Sequence, residues 1–185
     1  MLSQSSMIEA RSFPPISDPS ARTLVLGSMP GKRSLEQEEY YAHPQNLFWP
    51  FVDAILGIPR EVPYDERCEA LKSRGIALWD TLKSCTRPGS LDSDIVRSSM
   101  VPNDFAAFLD VHPAIELIVF NGGTAERVFM KLAAPGLQGR LGAIRLLRLP
   151  STSPANASIP VDTKLSAWRV ISSGSGSSFR DHEVK

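Results

Sequence analysis

The chain has 185 residues, 42% of them hydrophobic and 22% charged, which is long enough for one domain with a buried core. No apolar run approaches the length of a membrane span, and the opening MLSQSSMIEARSF lacks the apolar stretch of a signal peptide, so a cytoplasmic protein, or a nuclear one in a eukaryote, is expected. The 20 basic residues balance the 20 acidic ones, which argues against a strongly basic, nonspecific nucleic-acid binder, and two cysteines, Cys68 and Cys85, are too few for a disulfide framework or a four-thiolate cluster.

Residues 1–21 are polar and proline-bearing and read as an N-terminal extension with little order of its own. Residues 23–26 form the first of four short apolar runs that read as buried strands; the others are 76–79, 115–120 and 144–149. Helical patterns fall between them. Leu47, Phe48, Phe51, Val52, Ile55 and Leu56 recur at helical spacing and stop at Gly57. Asp65 opens a second pattern that runs through Arg74. Asn103 precedes a third over 104–111, Gly123 a fourth through Ala134, and Asp162 a fifth over 164–171. Strands alternating with helices predict a three-layer α/β domain over 22–171, built on a four-stranded, mostly parallel sheet. The low-complexity run SSGSGSS places a flexible tail over 172–185. In such a sheet, ligands bind at the carboxyl ends of the strands, which directs attention to the loops starting at Gly27, Asp80, Asn121 and Pro150.

The first loop, Gly27-Ser28-Met29-Pro30-Gly31-Lys32-Arg33, only superficially resembles a phosphate loop. The glycines are three residues apart, Arg33 follows Lys32 where Ser or Thr is required, and Pro30 lacks the N–H that a phosphate cradle would use. The next block, YYAHPQNLFWP, is more specific: an aromatic pair, a His-Pro turn, and Asn46 opening an apolar helix. On these residues alone Asn46 reads first as a helix cap, His43 as a packed turn residue and Tyr41 as core.

Taken in order, GSMPG, YYAHPQNLFWP, GIALWDTLKSC with PGSLDS, VFNGGTAE and LPSTSPANA resemble the hypoxanthine-DNA glycosylase branch of the uracil-DNA glycosylase superfamily, across about residues 23–171. The resemblance implies an α/β/α sandwich with a central four-stranded parallel sheet. It also implies a monofunctional DNA glycosylase that cuts the bond between a deaminated base and deoxyribose, with hypoxanthine the leading substrate and uracil and xanthine further candidates. DNA containing such bases is the implied partner, with no obligate protein partner, no metal and no other cofactor.

The same resemblance suggests roles. Such an enzyme flips its base into a pocket. Where many relatives carry an Asp or Asn in the first turn to position water, this chain has Ser28 and Met29; in the branch it resembles, the asparagine of the HPxNxFW block serves, which is Asn46. Glycosidic cleavage develops positive charge on the sugar, so an amide oxygen that orients a weakly activated water is sufficient. Gly27, Ser28 and Met29 would line the base pocket, Tyr41 stack on the base, and Asp80 read its edge from the position where pyrimidine-specific relatives carry Asn. When ionised, Asp80 would accept from uracil N3–H or hypoxanthine N1–H. Asn121 is a further lining candidate, and Asp92 and Asp94 read as contacts to base or DNA or as helix-start caps. Ser151, Thr152, Ser153 and Asn156 fall in a loop that grips DNA in relatives, often with a histidine where Asn156 stands. Lys32, Arg33, Arg87, Arg145 and Arg148 are candidates for a local basic face.

The alternative is a noncatalytic nucleic-acid- or nucleotide-binding module of the same fold, favoured by the balanced charge and the missing first-turn Asp or Asn. Persistence of the HPQNLFW block argues against it, and whether Tyr41 and Asn46 face one cavity discriminates. An α/β hydrolase lacks its GxSxG elbow.

Overall fold

The computed structural model describes residues 9–137 and 139–174. Strand β1 (Glu9–Arg11) is followed by β2 (Thr23–Gly27), helices α1 (Lys32–Gln37), α2 (Phe48–Leu56) and α3 (Tyr64–Ser73), and then β3 (Ile76–Asp80) and β4 (Leu82–Thr86). After two short 3-10 turns come β5 (Val101–Pro102), α4 (Phe105–Val111), β6 (Leu117–Asn121), α5 (Gly123–Val128), β7 (Arg145–Leu149) and α6 (Val161–Trp168). The four anticipated strands form one parallel sheet in the order β3-β2-β6-β7. Every residue of β2 and β3 is buried, as continuous apolar runs require when helices cover both faces. β7 carries Arg145 and Arg148 and is largely half-buried or exposed, as an edge strand tolerates.

The helices fall where the apolar spacing puts them, with shifted ends: α3 starts at Tyr64 behind Pro63, so Asp65 lies in its first turn and does not cap it, and α6 starts at Val161, with Asp162 in its first turn, and passes into a 3-10 turn at Arg169. The third begins one residue later than expected: Asp104, not Asn103, caps it, its Oδ1 accepting from Ala107 N at 3.0 Å. The fourth ends early as an α-helix and continues as a π-turn over Phe129–Ala133. Helix α1 is an addition, and Lys32 and Arg33, expected in a loop, occupy its first turn.

Residues 9–21 differ most from expectation. They are not a loosely ordered extension. Ile16 pairs with Leu78 through two backbone hydrogen bonds of 2.9 and 2.8 Å and covers the outer edge of β3. The Phe13 carbonyl accepts from Trp79 Nε1 at 3.1 Å, and its ring packs edge-on against Tyr40. β1 adds to β4, which pairs in turn with β5, making a small antiparallel sheet. The polar composition of this segment hid its role, because its order comes from backbone pairing with a sheet edge and not from a core of its own. Most of the tail expected over 172–185 lies outside the described residues; 172–174 finish a 3-10 turn that begins at Arg169. Among the described residues, no helix is long and apolar enough to cross a membrane.

Deleting residues 1–21 should therefore unfold or markedly destabilise the domain, and Phe13→Ala alone should lower Tm by roughly 5 °C. A truncated protein with an unchanged melting curve would contradict this packing.

Candidate active site

All four parallel strands deliver their carboxyl ends to one cavity of about 810 Å³. Gly27 arrives from β2, Asp80 from β3, Asn121 from β6, and the 151–156 loop follows β7. Tyr41, His43 and Asn46 enter from the segment before α2, and 90–93 close another side. Gly27, Ser28, Met29, Tyr41, Asn46, Asp80, Asn121, Ser151, Thr152, Ser153, Asn156 and Lys32 all line this one cavity.

The first turn is held rigid from outside. The Gly27 carbonyl accepts from both the backbone N–H (2.8 Å) and the hydroxyl (3.0 Å) of Thr81, and Leu82 N donates to the Ser28 carbonyl at 3.1 Å. Arg87 donates to the Pro30 carbonyl. Arg87 is 4% exposed, so it is a brace beneath the turn and not part of a DNA-facing surface. Gly27 lacks a side chain for a physical reason: a Cβ there would collide with Asp80 Oδ1 and come within 3.1 Å of the Tyr41 hydroxyl.

Asp80 is 3% exposed. Asn103 Nδ2 fixes its backbone carbonyl at 2.8 Å, while its own Oδ2 is buried with no partner. Burial, with Asp92 nearby and Arg87 offsetting only in part, pushes its carboxyl up to about 8. At neutral pH it therefore holds its proton and can donate as well as accept, unlike the ionised, acceptor-only group anticipated for this position.

Tyr41 adopts a left-handed backbone, φ 57°, which is strained for a bulky residue. Its neighbours impose it. Tyr64 Oη accepts from Tyr40 N at 2.9 Å, Trp49 Nε1 donates to the Tyr40 carbonyl at 2.9 Å, and Ala42 N donates to the buried Ser34 hydroxyl at 3.1 Å. One face of the Tyr41 ring lies on Phe48, with centroids 4.3 Å apart. Its hydroxyl is buried without a hydrogen bond of normal geometry. Burial, and after it the Asp80 charge, raises the phenol pKa; the adjacent Asn121 offsets this only in part.

The N-cap of α2 is Leu47 and not Asn46; Asn46 stands one residue before it, its Oδ1 accepting from Phe48 N at 3.0 Å in an Asx turn that leads into the helix while the residue lines the cavity. The carbonyl's second lone pair remains for another donor. The Asn121 amide is committed to Thr152 at both ends, donating to its hydroxyl and accepting from its N–H, each at 2.8 Å. Thr152 is fully buried, so its hydroxyl shapes the loop and is not presented to a phosphate. Of the two acidic residues in the 3-10 turn, Asp94 caps it, accepting from Leu91 N, whereas Asp92 accepts from the Ser28 hydroxyl at 2.6 Å and ties the turn to the first loop.

Sequence reasoning missed Lys164. It is 2% exposed, and its ammonium donates to the carbonyls of Ser151 (2.9 Å) and Asn156. A lysine in an amphipathic helix reads as solvated surface; only the fold turns it beneath the 151–156 loop. Trp168 Nε1 donates to the Pro150 carbonyl at 2.9 Å, and Leu47 N donates to the Thr152 carbonyl at 3.0 Å, so helix α6 and the Asn46 segment brace that loop from two sides.

This chain is similar to known proteins. Residues 14–171 match the uracil DNA glycosylase superfamily. A hypoxanthine DNA glycosylase of Methanosarcina barkeri is 34% identical over 135 residues, covering 72% of this chain and 84% of that protein. One from Methanosarcina acetivorans is 32% identical over 162 residues, 87% of this chain and 96% of that protein. A solution NMR structure from Methanosarcina acetivorans, of a protein described as a candidate uracil DNA glycosylase, superposes with a TM-score of 0.75 at 32% identity, covering 90% of this chain and 99% of that one.

Two outcomes follow from the buried ionisable groups. Asp80 titrates at about 8 when folded, well above an unfolded carboxyl, so the folded state binds the extra proton and stability falls as pH rises from about 4 through 8. Asp80→Asn should raise Tm over wild type at pH 9 and leave it unchanged near pH 4; thermal melts across that range check the sign. Lys164→Met should leave two loop carbonyls without their donor, lowering Tm by roughly 5 °C and making the 151–156 loop more susceptible to proteolysis.

Proposed function

Since this chain belongs to the uracil DNA glycosylase superfamily, in the branch of the hypoxanthine DNA glycosylases, we propose that it is a monofunctional DNA glycosylase. It hydrolyses the N-glycosidic bond of deaminated bases in DNA, hypoxanthine first among them, and leaves an abasic site for base excision repair. One observation supports this reading above others: the Tyr41 hydroxyl and Asp80 Oδ2, both buried and both unpartnered, converge with Asn46 on a single cavity at the strand ends. A buried polar atom without a partner is unfavourable by about 1–3 kcal/mol, and a ligand edge that hydrogen-bonds Asp80 relieves that at the carboxyl.

The edge shared by deaminated bases is a lactam, one N–H beside one C=O. A protonated Asp80 matches it with two hydrogen bonds, accepting from the base N–H and donating to the carbonyl. As the C1′–N bond breaks, electrons pass into the base, and the O–H donor at its carbonyl strengthens its hold on the developing negative charge. Tyr41 offers its ring face opposite Phe48 for stacking, in the range of roughly 1–3 kcal/mol. Asn46 holds water through the free lone pair of its amide oxygen. The water oxygen bonds to C1′ as the base departs, and its proton passes to solvent or base. The 151–156 loop, with Ser151, Ser153 and Asn156, receives the flanking phosphates, and Lys32 and Arg33 supply positive charge on the opposite rim. The domain boundaries of this activity we place at residues 9–174, with the segment over 9–21 included.

The first experiment incubates purified protein with labelled duplexes carrying inosine, uracil or xanthine, followed by alkali. Cleavage strongest at inosine is expected. Cleavage of none, by folded protein, would return weight to a noncatalytic module. Asn46→Ala should lower the single-turnover rate by roughly 100-fold or more while changing DNA affinity little. For Asp80 the pH profile is decisive: wild-type excision should fall above about pH 8 as the carboxyl loses its proton, Asp80→Asn should flatten that fall, and Asp80→Ala should be impaired throughout.

A further inference from the structure

A water that attacks C1′ must be aimed as well as held. It carries two hydrogens, and engaging both with acceptors leaves its lone pairs free for the carbon. Asn46 offers one acceptor, the remaining lone pair of its amide oxygen. Met29 supplies no second one: a thioether is a weak acceptor, and this one is buried in a small core with Leu82 and Ile95. Ser28, beside it, lines the same cavity and is half-buried, and Leu82 N holds its carbonyl at 3.1 Å. Only the direction of its hydroxyl is left to be set.

A hydroxyl on its own is ambiguous, because its hydrogen rotates and it can donate or accept. Here Ser28 Oγ donates to Asp92 Oδ1 at 2.6 Å, the short distance of a charge-assisted bond. A carboxylate only accepts, so the Ser28 hydrogen is committed to Asp92 and Oγ has only lone pairs to present elsewhere. Asp92 lies 64 residues further along the chain, on a turn built to deliver it. Leu91 N donates to Asp94 Oδ2 at 3.1 Å, and Asp94 N donates back to the Leu91 carbonyl at 3.0 Å. Gly89 makes room for the Asp94 carboxylate, since a Cβ there would collide with its Oδ2. Ile95 then packs in the same small core as Met29. The residue that gives the cavity no acceptor thus docks the first loop onto the turn that carries Asp92.

We propose that Asp92 is a positioning residue for the hydrolytic step, acting through Ser28: by engaging the Ser28 hydrogen it makes Oγ the second acceptor for the attacking water. The proposal rests on the glycosylase reading. The water oxygen forms the bond to C1′, the electron pair of the C1′–N bond leaves with the base, and the water proton passes to solvent or base. Ser28 and Asp92 exchange neither proton nor electrons with the substrate and set only the direction of attack. Without Asp92 the Ser28 hydrogen can turn to the water and occupy the lone pair that C1′ needs.

The test titrates protein in single-turnover excision of inosine from a duplex, for wild type, Ser28→Ala, Asp92→Ala, Asp92→Asn and the Ser28→Ala/Asp92→Ala double variant. It is run at about pH 6, below the Asp80 titration at about 8, so that Asp80 keeps its proton. Asp92→Ala should lower the maximal rate by about tenfold or more, with the half-saturating protein concentration within about twofold of wild type and Tm nearly unchanged. The double variant should be no slower than Ser28→Ala, because Asp92 acts through that hydroxyl. Asp92→Asn should recover most of the rate, since an amide oxygen also accepts from Ser28. An unchanged maximal rate in Asp92→Ala, additive losses in the double variant, or Asp92→Asn as slow as Asp92→Ala would each overturn the proposal. So would a loss that comes with a lowered Tm or a raised half-saturating concentration, the mark of a mere tie between loops. In each of these cases wild-type cleavage still upholds the glycosylase. No wild-type cleavage at all would overturn the glycosylase reading and the role of Asp92 with it.

Discussion

The site depends on a missing atom. Gly27 ends the central strand β2, and the space a Cβ would occupy is where Asp80 and the Tyr41 hydroxyl meet. Any side chain there would push the carboxyl or the phenol away and break the convergence on which the proposed base recognition rests. The rest of the molecule keeps that space defined. Thr81 and Leu82 clamp the Gly27 and Ser28 carbonyls, Arg87 holds Pro30, Asn103 fixes Asp80 from behind, and the Tyr64, Trp49 and Ser34 contacts force Tyr41 into its left-handed turn. The strain at Tyr41 is sustained because several independent bonds specify it at once.

What the sequence revealed was what periodicity encodes. The four parallel strands are buried on both faces, so their apolar runs are continuous and stand out, and the helices between them show their 3.6-residue spacing with few ambiguities. The cavity position followed from the sheet, since the strand ends were known. The resemblance then picked out the residues at those ends. Elements set by pairing with a distant partner stayed hidden. β1, β4 and β5 are two to five residues long and take their order from one another, so no local pattern announces them. Arg87 and Lys164 were illegible for a related reason: composition treats a cation as surface, and only tertiary packing shows that each is turned inward to hold a loop carbonyl. The protonation of Asp80 was also beyond the sequence, because it depends on how completely the carboxyl is shielded from water.

The balanced net charge, which first argued against DNA, is compatible with how the cavity rim is built. Lys32 and Arg33 are exposed and only loosely associated with Glu36, at 4.0 and 3.6 Å, so the phosphate contacts proposed for them would break no strong pair. The opposite rim presents hydroxyls and backbone, stiffened from beneath by the buried Lys164 ammonium. On the proposed reading, contact by a few positioned groups would give local grip without a broad positive field, and with it a modest dependence on salt.

The two orphaned polar atoms have a consequence for timing. On the proposed reading, Tyr41 and Asp80 hold the base and not its link to sugar, so a base freed by hydrolysis fits them as well as one still attached. After bond cleavage the sugar is no longer tethered to what the pocket holds, yet the pocket has no reason to let go. On that reading, release of the free base from its buried cradle would set the pace at which the protein can accept its next lesion.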